Sequence, residues 1–152
     1  MKKLLWTALS ATVFLSSNVA AENSLNAPKL PHGQLVRTVF NDVNICVYRR
    51  TPEDIKHLKE KYAESDASLR SQNEEFFIFD CVTPKGCFIS FKPKGKAAIE
   101  YRNVHENGGL LDECFGLEYD FTGRLFNSKS DSDMNLKIPT HHFDKDGKVI
   151  FP

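Results

Sequence analysis

Apolar and polar positions alternate with a period of two between Val43 and Tyr48. Val43, Ile45 and Val47 lie on one side and Asn44, Cys46 and Tyr48 on the other, the pattern of a half-buried strand. Gln34–Phe40 reads as the strand before it, with Asn41-Asp42 as the connecting turn. At Thr51 the period changes. Ile55, Leu58 and Tyr62 fall at i, i+3 and i+7, one face of a helix. Thr51 suits the N-cap, Pro52 the first turn, and Glu53 and Asp54 the positive end of the helix dipole. This predicts a helix over about Thr51–Ser65, followed by a polar connection from Asp66 to Glu75. From Phe76 onward the pattern is β: Phe76–Cys81, Cys87–Phe91, Ala97–Tyr101 beyond the Pro93-Lys94-Gly95 turn, and a closing hairpin of Leu136–Phe143 and Lys148–Phe151. Turns fall at Asn107-Gly108-Gly109, Asp120–Gly123 and Asp144–Gly147. One helix among about nine short strands predicts a small, mostly β, antiparallel domain.

The first 33 residues read differently. Residues 1–21 carry Lys2 and Lys3, an apolar stretch from Leu4 to Leu15, and small residues at Val19-Ala20-Ala21, the layout of a signal peptide. The stretch is short of the roughly 20 residues a bilayer span needs; the alternative is an uncleaved membrane anchor. Residues 22–33 hold Pro28, Pro31 and Gly33 with little apolar periodicity and read as a linker, leaving 34–152 as the domain.

Composition narrows the function classes. The chain is 41% apolar, 26% charged and rich in Phe, enough to form a core rather than stay disordered. Its 20 basic and 20 acidic side chains cancel, so it lacks the basic footprint of a nucleic-acid or anionic-membrane binder. Export to an oxidising, periplasm-like compartment would favour disulfides among Cys46, Cys81, Cys87 and Cys114; four cysteines allow three pairings.

Two segments carry most of the chemistry: Val82-Thr-Pro-Lys-Gly-Cys87 and Asp112-Glu-Cys-Phe-Gly-Leu-Glu-Tyr-Asp-Phe-Thr-Gly-Arg124. They resemble the two cluster-binding loops of the Rieske iron–sulfur proteins of cytochrome bc complexes, C-T-H-x-G-C and C-P-C-H-G-S-x-Y-D-x-x-G-R. Val47-Tyr-Arg-Arg-Thr-Pro-Glu-Asp-Ile55, Ala67-Ser-Leu-Arg70 and Asn135-Leu-Lys-Ile-Pro139 are similar to further stretches of that family, so the resemblance runs from about Gln34 to Pro152. It implies a Rieske-like antiparallel β-sandwich with one inserted helix and a smaller, formerly cluster-binding subdomain.

The departures from the family pattern matter most. Each family loop supplies one Cys and one His to a [2Fe–2S] cluster. Those positions fall here on Val82 and Pro84 in the first loop and on Asp112 and Phe115 in the second. Three of the four lack a donor atom, and an Asp oxygen replaces a thiolate poorly on iron. The resemblance also assigns Cys87 and Cys114 to a disulfide that ties the two loops. That bridge would close a loop of about 28 residues, worth roughly 3–4 kcal/mol. Cys46 and Cys81 lie on strands that the family fold places side by side, making a second disulfide or a pair of buried thiols. Leu117 replaces a cluster-facing serine, Ser128–Asp133 replaces a proline-rich covering loop, and Tyr119 keeps its place without its family cysteine partner. Val82, Phe115 and Leu117 are apolar enough to fill the vacated space, the bland reading of these changes.

Other candidates are weaker. A metal or cluster site built from all four cysteines conflicts with an oxidising compartment. Cys87 and Cys114 lack the C-x-x-C spacing of a catalytic thiol pair. His141 and His142 are neighbours on a strand and point to opposite faces, so they do not chelate one ion. His32, His57 and His105 are scattered, Lys92–Lys96 reads as an exposed turn, and Asp131 and Asp133 lack calcium-loop spacing.

The expectation is an exported or periplasmic Rieske-fold protein without a cluster, metal, cofactor or catalytic residue. Its role would be structural or protein-binding, as an accessory subunit of an envelope or respiratory complex. It would not bind nucleic acid, and would touch a membrane only through residues 1–21 if these stay attached. Phe115 and Leu117 are the candidate partner surface. The rival readings are an electron-transfer protein with atypical ligands and an enzyme with a pocket formed by Asp112, Tyr119 and His105.

Overall fold

A computed structural model describes residues 24–63, 69–93, 107–126 and 132–152 of the chain. The signal-peptide reading, the Ala97–Tyr101 strand and His105 lie outside the described residues, as does most of Ser128–Asp133.

The central sheet grows from the hairpin that the alternating pattern predicts. Strand β2 (Leu35–Phe40) and strand β3 (Val43–Arg49) pair antiparallel from Leu35↔Tyr48 to Phe40↔Val43. Asn41 and Asp42 turn the chain with φ of +45° and +62°, the left-handed pair that suits a two-residue hairpin. Strand β4 (Phe76–Asp80) joins the far edge of β3, giving the order β2-β3-β4.

The alternation predicted one buried face for β3, whereas both faces are covered. Cys46 and Tyr48 point with Phe77 and Phe79 into one core cluster, while Ile45 and Val47 point with Phe76 and Ile78 into another. The second cluster is closed by strands from the chain's far regions. Strand β1 (Ser24–Leu25) pairs with β9 (Val149–Ile150), which pairs with β8 (His142–Phe143). The described part of the 22–33 segment is therefore part of the domain rather than a linker. Ala27 is fully buried, and Arg49 Nη1 donates to the carbonyls of Pro28 and Leu30 at 2.9 and 2.7 Å. Prolines hid this from a periodicity reading, because the segment docks through side-chain-to-carbonyl bonds and a two-residue strand.

Helix α1 (Pro52–Tyr62) packs on the first cluster through buried Leu58 and half-buried Ile55 and Tyr62. Thr51 and Asp54 form a reciprocal capping box. Asp54 N–H donates to Thr51 Oγ1 at 3.1 Å, and Thr51 N–H to Asp54 Oδ2 at 2.8 Å. Tyr48 O–H also donates to Asp54 at 2.7 Å, fastening the helix start to β3.

The third sheet covers the same cluster: β5 (Ile89–Lys92), β6 (Gly109–Asp112) and β7 (Leu117–Tyr119), antiparallel in that order. Arg50 joins the layers. Its guanidinium is fully buried and donates to the carbonyls of Phe121, Leu69 and Glu74. Burial pulls its pKa down to about 10 against the favourable fields of Asp120 and Asp54. Cys46 is bonded to Cys81 just beyond β4, both sulfurs within the first cluster and both residues fully buried. Among the described residues, the predicted long strand Leu136–Phe143 pairs only at His142–Phe143. Upstream of it, Leu136 and Lys137 spend their carbonyls on Arg70 Nη2 and the Asp80 N–H.

The described residues are thus mostly β, with three antiparallel three-stranded sheets and one inserted α-helix, and they match a Rieske-like β-sandwich with a helical insertion. Among the described residues no helix is long and apolar enough to cross a membrane.

Candidate functional site

The two loops singled out by their cysteines meet at one tip. In the first, Thr83 organises the turn. Its N–H donates to the Cys87 carbonyl, its carbonyl accepts from Gly86 N–H, and its Oγ1 accepts from Cys87 N–H at 3.2 Å. Gly86 supplies φ +87°, and a Cβ placed there would meet nothing within 4 Å. In the second, Asp112 ends β6 and caps the turn into β7. Its Oδ1 accepts from Cys114 and Phe115 N–H at 3.0 and 3.1 Å, and its carbonyl accepts from Gly116 N–H.

Two bonds cross between the loops. Cys87 is bonded to Cys114, and Thr83 O–H donates to Asp112 Oδ2 at 2.8 Å in a fully buried contact. A buried carboxylate is costly unless its acceptor positions are filled, and these three donors fill most of them.

Of the four positions that the resemblance equates with cluster ligands, Val82 is half-buried and bridges to Phe88, Pro84 is exposed, Asp112 is fully buried, and Phe115 is 55% exposed. Phe115 therefore does not fill interior space. Leu117 is half-buried against the main core, and the contact between Thr83 and Asp112 ties the loops internally. Phe88, read from sequence only as part of an apolar strand, is 53% exposed. Its signal was available in the period of two, since Ile89 beside it is buried. Lys85 Nζ sits over the Phe115 ring, 5.4 Å from its centre, and Lys92 pairs with Glu113 at 2.9 Å.

Tyr119 is fully buried and its hydroxyl has no hydrogen-bond partner among the described residues. Burial, reinforced by the Asp112 charge, pushes its pKa up to about 12. Asp112 and Tyr119 are both closed to solvent in the disulfide-bonded protein. The four described histidines do not assemble. His141 is buried with Nδ1 2.8 Å from the Pro139 carbonyl, His142 is exposed, His32 lies beside Glu75, and His57 beside Asn107.

The site does not suit a [2Fe–2S] cluster. All four cysteine sulfurs are held in disulfides, so none is a thiolate; Val82, Pro84 and Phe115 offer no donor atom; and Asp112, which accepts from Thr83 and two backbone amides, offers an oxygen where the cluster takes a thiolate. One donor grouping that sequence reasoning did not isolate is present. Cys87 Sγ, Cys114 Sγ and an Asp112 carboxylate oxygen lie within 4.8 Å of one another.

No protein-family model matches the chain. The chain is similar to the mitochondrial Rieske subunit of the cytochrome b-c1 complex of Neurospora crassa, at 26% identity over 148 residues. The similarity covers 93% of this chain and 58% of the relative, so the chain spans little more than half of that protein's length. The chain is thus distantly similar to a Rieske subunit and has a Rieske-like β-sandwich fold whose tip cysteines form a disulfide.

Proposed function

We propose that this is an exported, cluster-free Rieske-like protein that binds another protein through its tip, as an accessory subunit of an envelope or respiratory complex. The observation that carries the reading is a pair of exposed aromatic side chains. Phe88 follows Cys87 and Phe115 follows Cys114, so the disulfide holds both at one end of the molecule, each more than half open to water. Large rings held in water by a rigid scaffold are the composition of an interface centre, with Lys85 and Glu113 as a charged rim. The distant relationship to a subunit of a multiprotein complex agrees with this use.

The test places a photo-crosslinking residue at Lys85 in cells of the source organism and asks for a discrete adduct. The double variant Phe88→Ser/Phe115→Ser should abolish that adduct while leaving the circular dichroism spectrum unchanged. An adduct indifferent to the double variant, or none at all, refutes the reading. Stoichiometric iron with a charge-transfer spectrum in anaerobically purified protein would instead restore the electron-transfer reading.

A further inference from the structure

The two disulfides sit in opposite environments. Cys46–Cys81 is sealed in the main core with both residues at 0% exposure, whereas Cys114 is exposed and Cys87 is 8% exposed. A soluble reductant therefore reaches one bridge and not the other. What reduction would release is a specific donor set. Two sulfurs and a carboxylate oxygen, drawn from two loops, already lie within 4.8 Å of one another. A thiophilic cation needs contacts of about 2.3 Å to sulfur and about 2.0–2.2 Å to oxygen. The loops can close on that distance, because Gly86 and Gly116 flank them with open space around each.

Asp112 is prepared for such a role. Its carboxylate has about four acceptor positions. Thr83 fills one at Oδ2, and the Cys114 and Phe115 amides fill those at Oδ1, which leaves one position at Oδ2. The Thr83 and amide donors also fix the carboxylate's orientation, the service that outer partners perform for metal ligands. The buried Tyr119 hydroxyl, which has no hydrogen-bond partner among the described residues, also feels the Asp112 charge.

We propose that the Cys87–Cys114 bridge is a redox-gated metal site. On reduction, its two sulfurs and Asp112 become ligands for a thiophilic divalent cation, with Zn2+ as the type and water in the fourth position. The gate opens when a dithiol reductant transfers two electrons and two protons to the bridge, giving two thiols while the reductant closes into its own disulfide. The cation then replaces the two thiol protons, so each binding event releases two protons. Three protein ligands with an open fourth position is a donor count that zinc accepts.

The experiment treats the full disulfide-bonded protein with a phosphine reductant, limited so that two thiols appear per chain, and titrates it with Zn2+ and with Co2+. Peptide mapping should assign the released thiols to Cys87 and Cys114. The reduced protein should bind one Zn2+ at least tenfold tighter than the oxidised protein, releasing two protons. The Co2+ form should show a sulfur-to-metal charge-transfer band that Cys114→Ser weakens or removes. Asp112→Asn keeps an acceptor for the two amides, and should weaken binding at least tenfold while retaining the band. The oxidised wild-type protein serves as a comparator that needs no variant to fold. Equal Zn2+ affinity in both redox states, unchanged affinity in Asp112→Asn, or initial release of Cys46 and Cys81 would each overturn the proposal.

Discussion

Replacing the tip bridge by Cys87→Ala/Cys114→Ala should cost close to the loop-closure entropy and little else. The bond spans 27 positions, for which chain-entropy arithmetic gives roughly 3.5 kcal/mol. Few packing contacts are lost with it, since Cys114 is exposed and Cys87 lies at the edge of the interior. The buried Thr83–Asp112 hydrogen bond still links the loops in the variant, so the native tip keeps its geometry. The inner bridge spans 35 positions and carries nearly the same entropy, roughly 4 kcal/mol. Its sulfurs, however, sit within the main core, so Cys46→Ala/Cys81→Ala adds a cavity cost of about 1–2 kcal/mol. Urea unfolding under non-reducing conditions separates the two contributions. The tip variant should lose about 2 M in midpoint, and its slope should rise because the freed unfolded chain exposes more surface. The inner variant should lose more. A tip variant that loses under about 1 kcal/mol with an unchanged slope, or that is less stable than the inner variant, would refute this reasoning.

Three further outcomes follow from buried contacts. Burial works to raise the Asp120 carboxyl, but Lys61 at 2.9 Å and the hydroxyls of Thr122 and Tyr62 outweigh it and hold the group below its usual 3.8. Because the folded-state value is the lower one, this stabilisation is complete above the unfolded value and is lost as pH falls through the folded one; unfolding midpoints between pH 6 and 2 should fall less steeply below pH 4 in Asp120→Asn than in wild type. Gly123 has φ +73°, and a Cβ there would sit 2.6 Å from Phe77 Cζ, so Gly123→Ala should cost roughly 2–4 kcal/mol in urea; Gly86→Ala, with open space, should cost only the backbone share of roughly 1–2. Thr83→Val removes the donor to Asp112 Oδ2 and leaves a buried acceptor unfilled, so it should destabilise by about 1–3 kcal/mol, and exchange of the Cys87 amide should quicken in hydrogen-exchange mass spectrometry.

What the sequence made legible was local. The change of period at Thr51, together with Pro52 and Asp54, located the helix start because a capping box is a contact within four residues. Asn41-Asp42 located the hairpin because only a few residue types tolerate its backbone. The second covered face of β3 was not legible, because its cover comes from residues on both sides of the chain's long middle: Ala27, Val149 and Phe151. The tip was legible only in part. Cysteine and Asp positions marked the loops, but whether Phe115 turned inward depended on Asp112, which ties up the loop amides and leaves the aromatic outside. Arg50 gave no periodic signal. Its importance lies in three backbone carbonyls from distant turns, which no side-chain pattern encodes.

The pairing of β1 with β9 has a mechanical consequence. Ser24 lies opposite Ile150 and Leu25 opposite Val149, so a pull on the two ends of the domain opens this ladder from its outer rung, one pair at a time. Peeling of this kind meets little resistance, so β1 and β9 should yield before the central sheet feels the load. Extension then stops short twice. The covalent links at Cys46–Cys81 and Cys87–Cys114 lock 35- and 27-position stretches out of the tensioned path. A stretched molecule would therefore give way at its edge and lengthen by a fixed, shortened amount, and only chemical opening of the tip link would restore the second of those stretches to its reach.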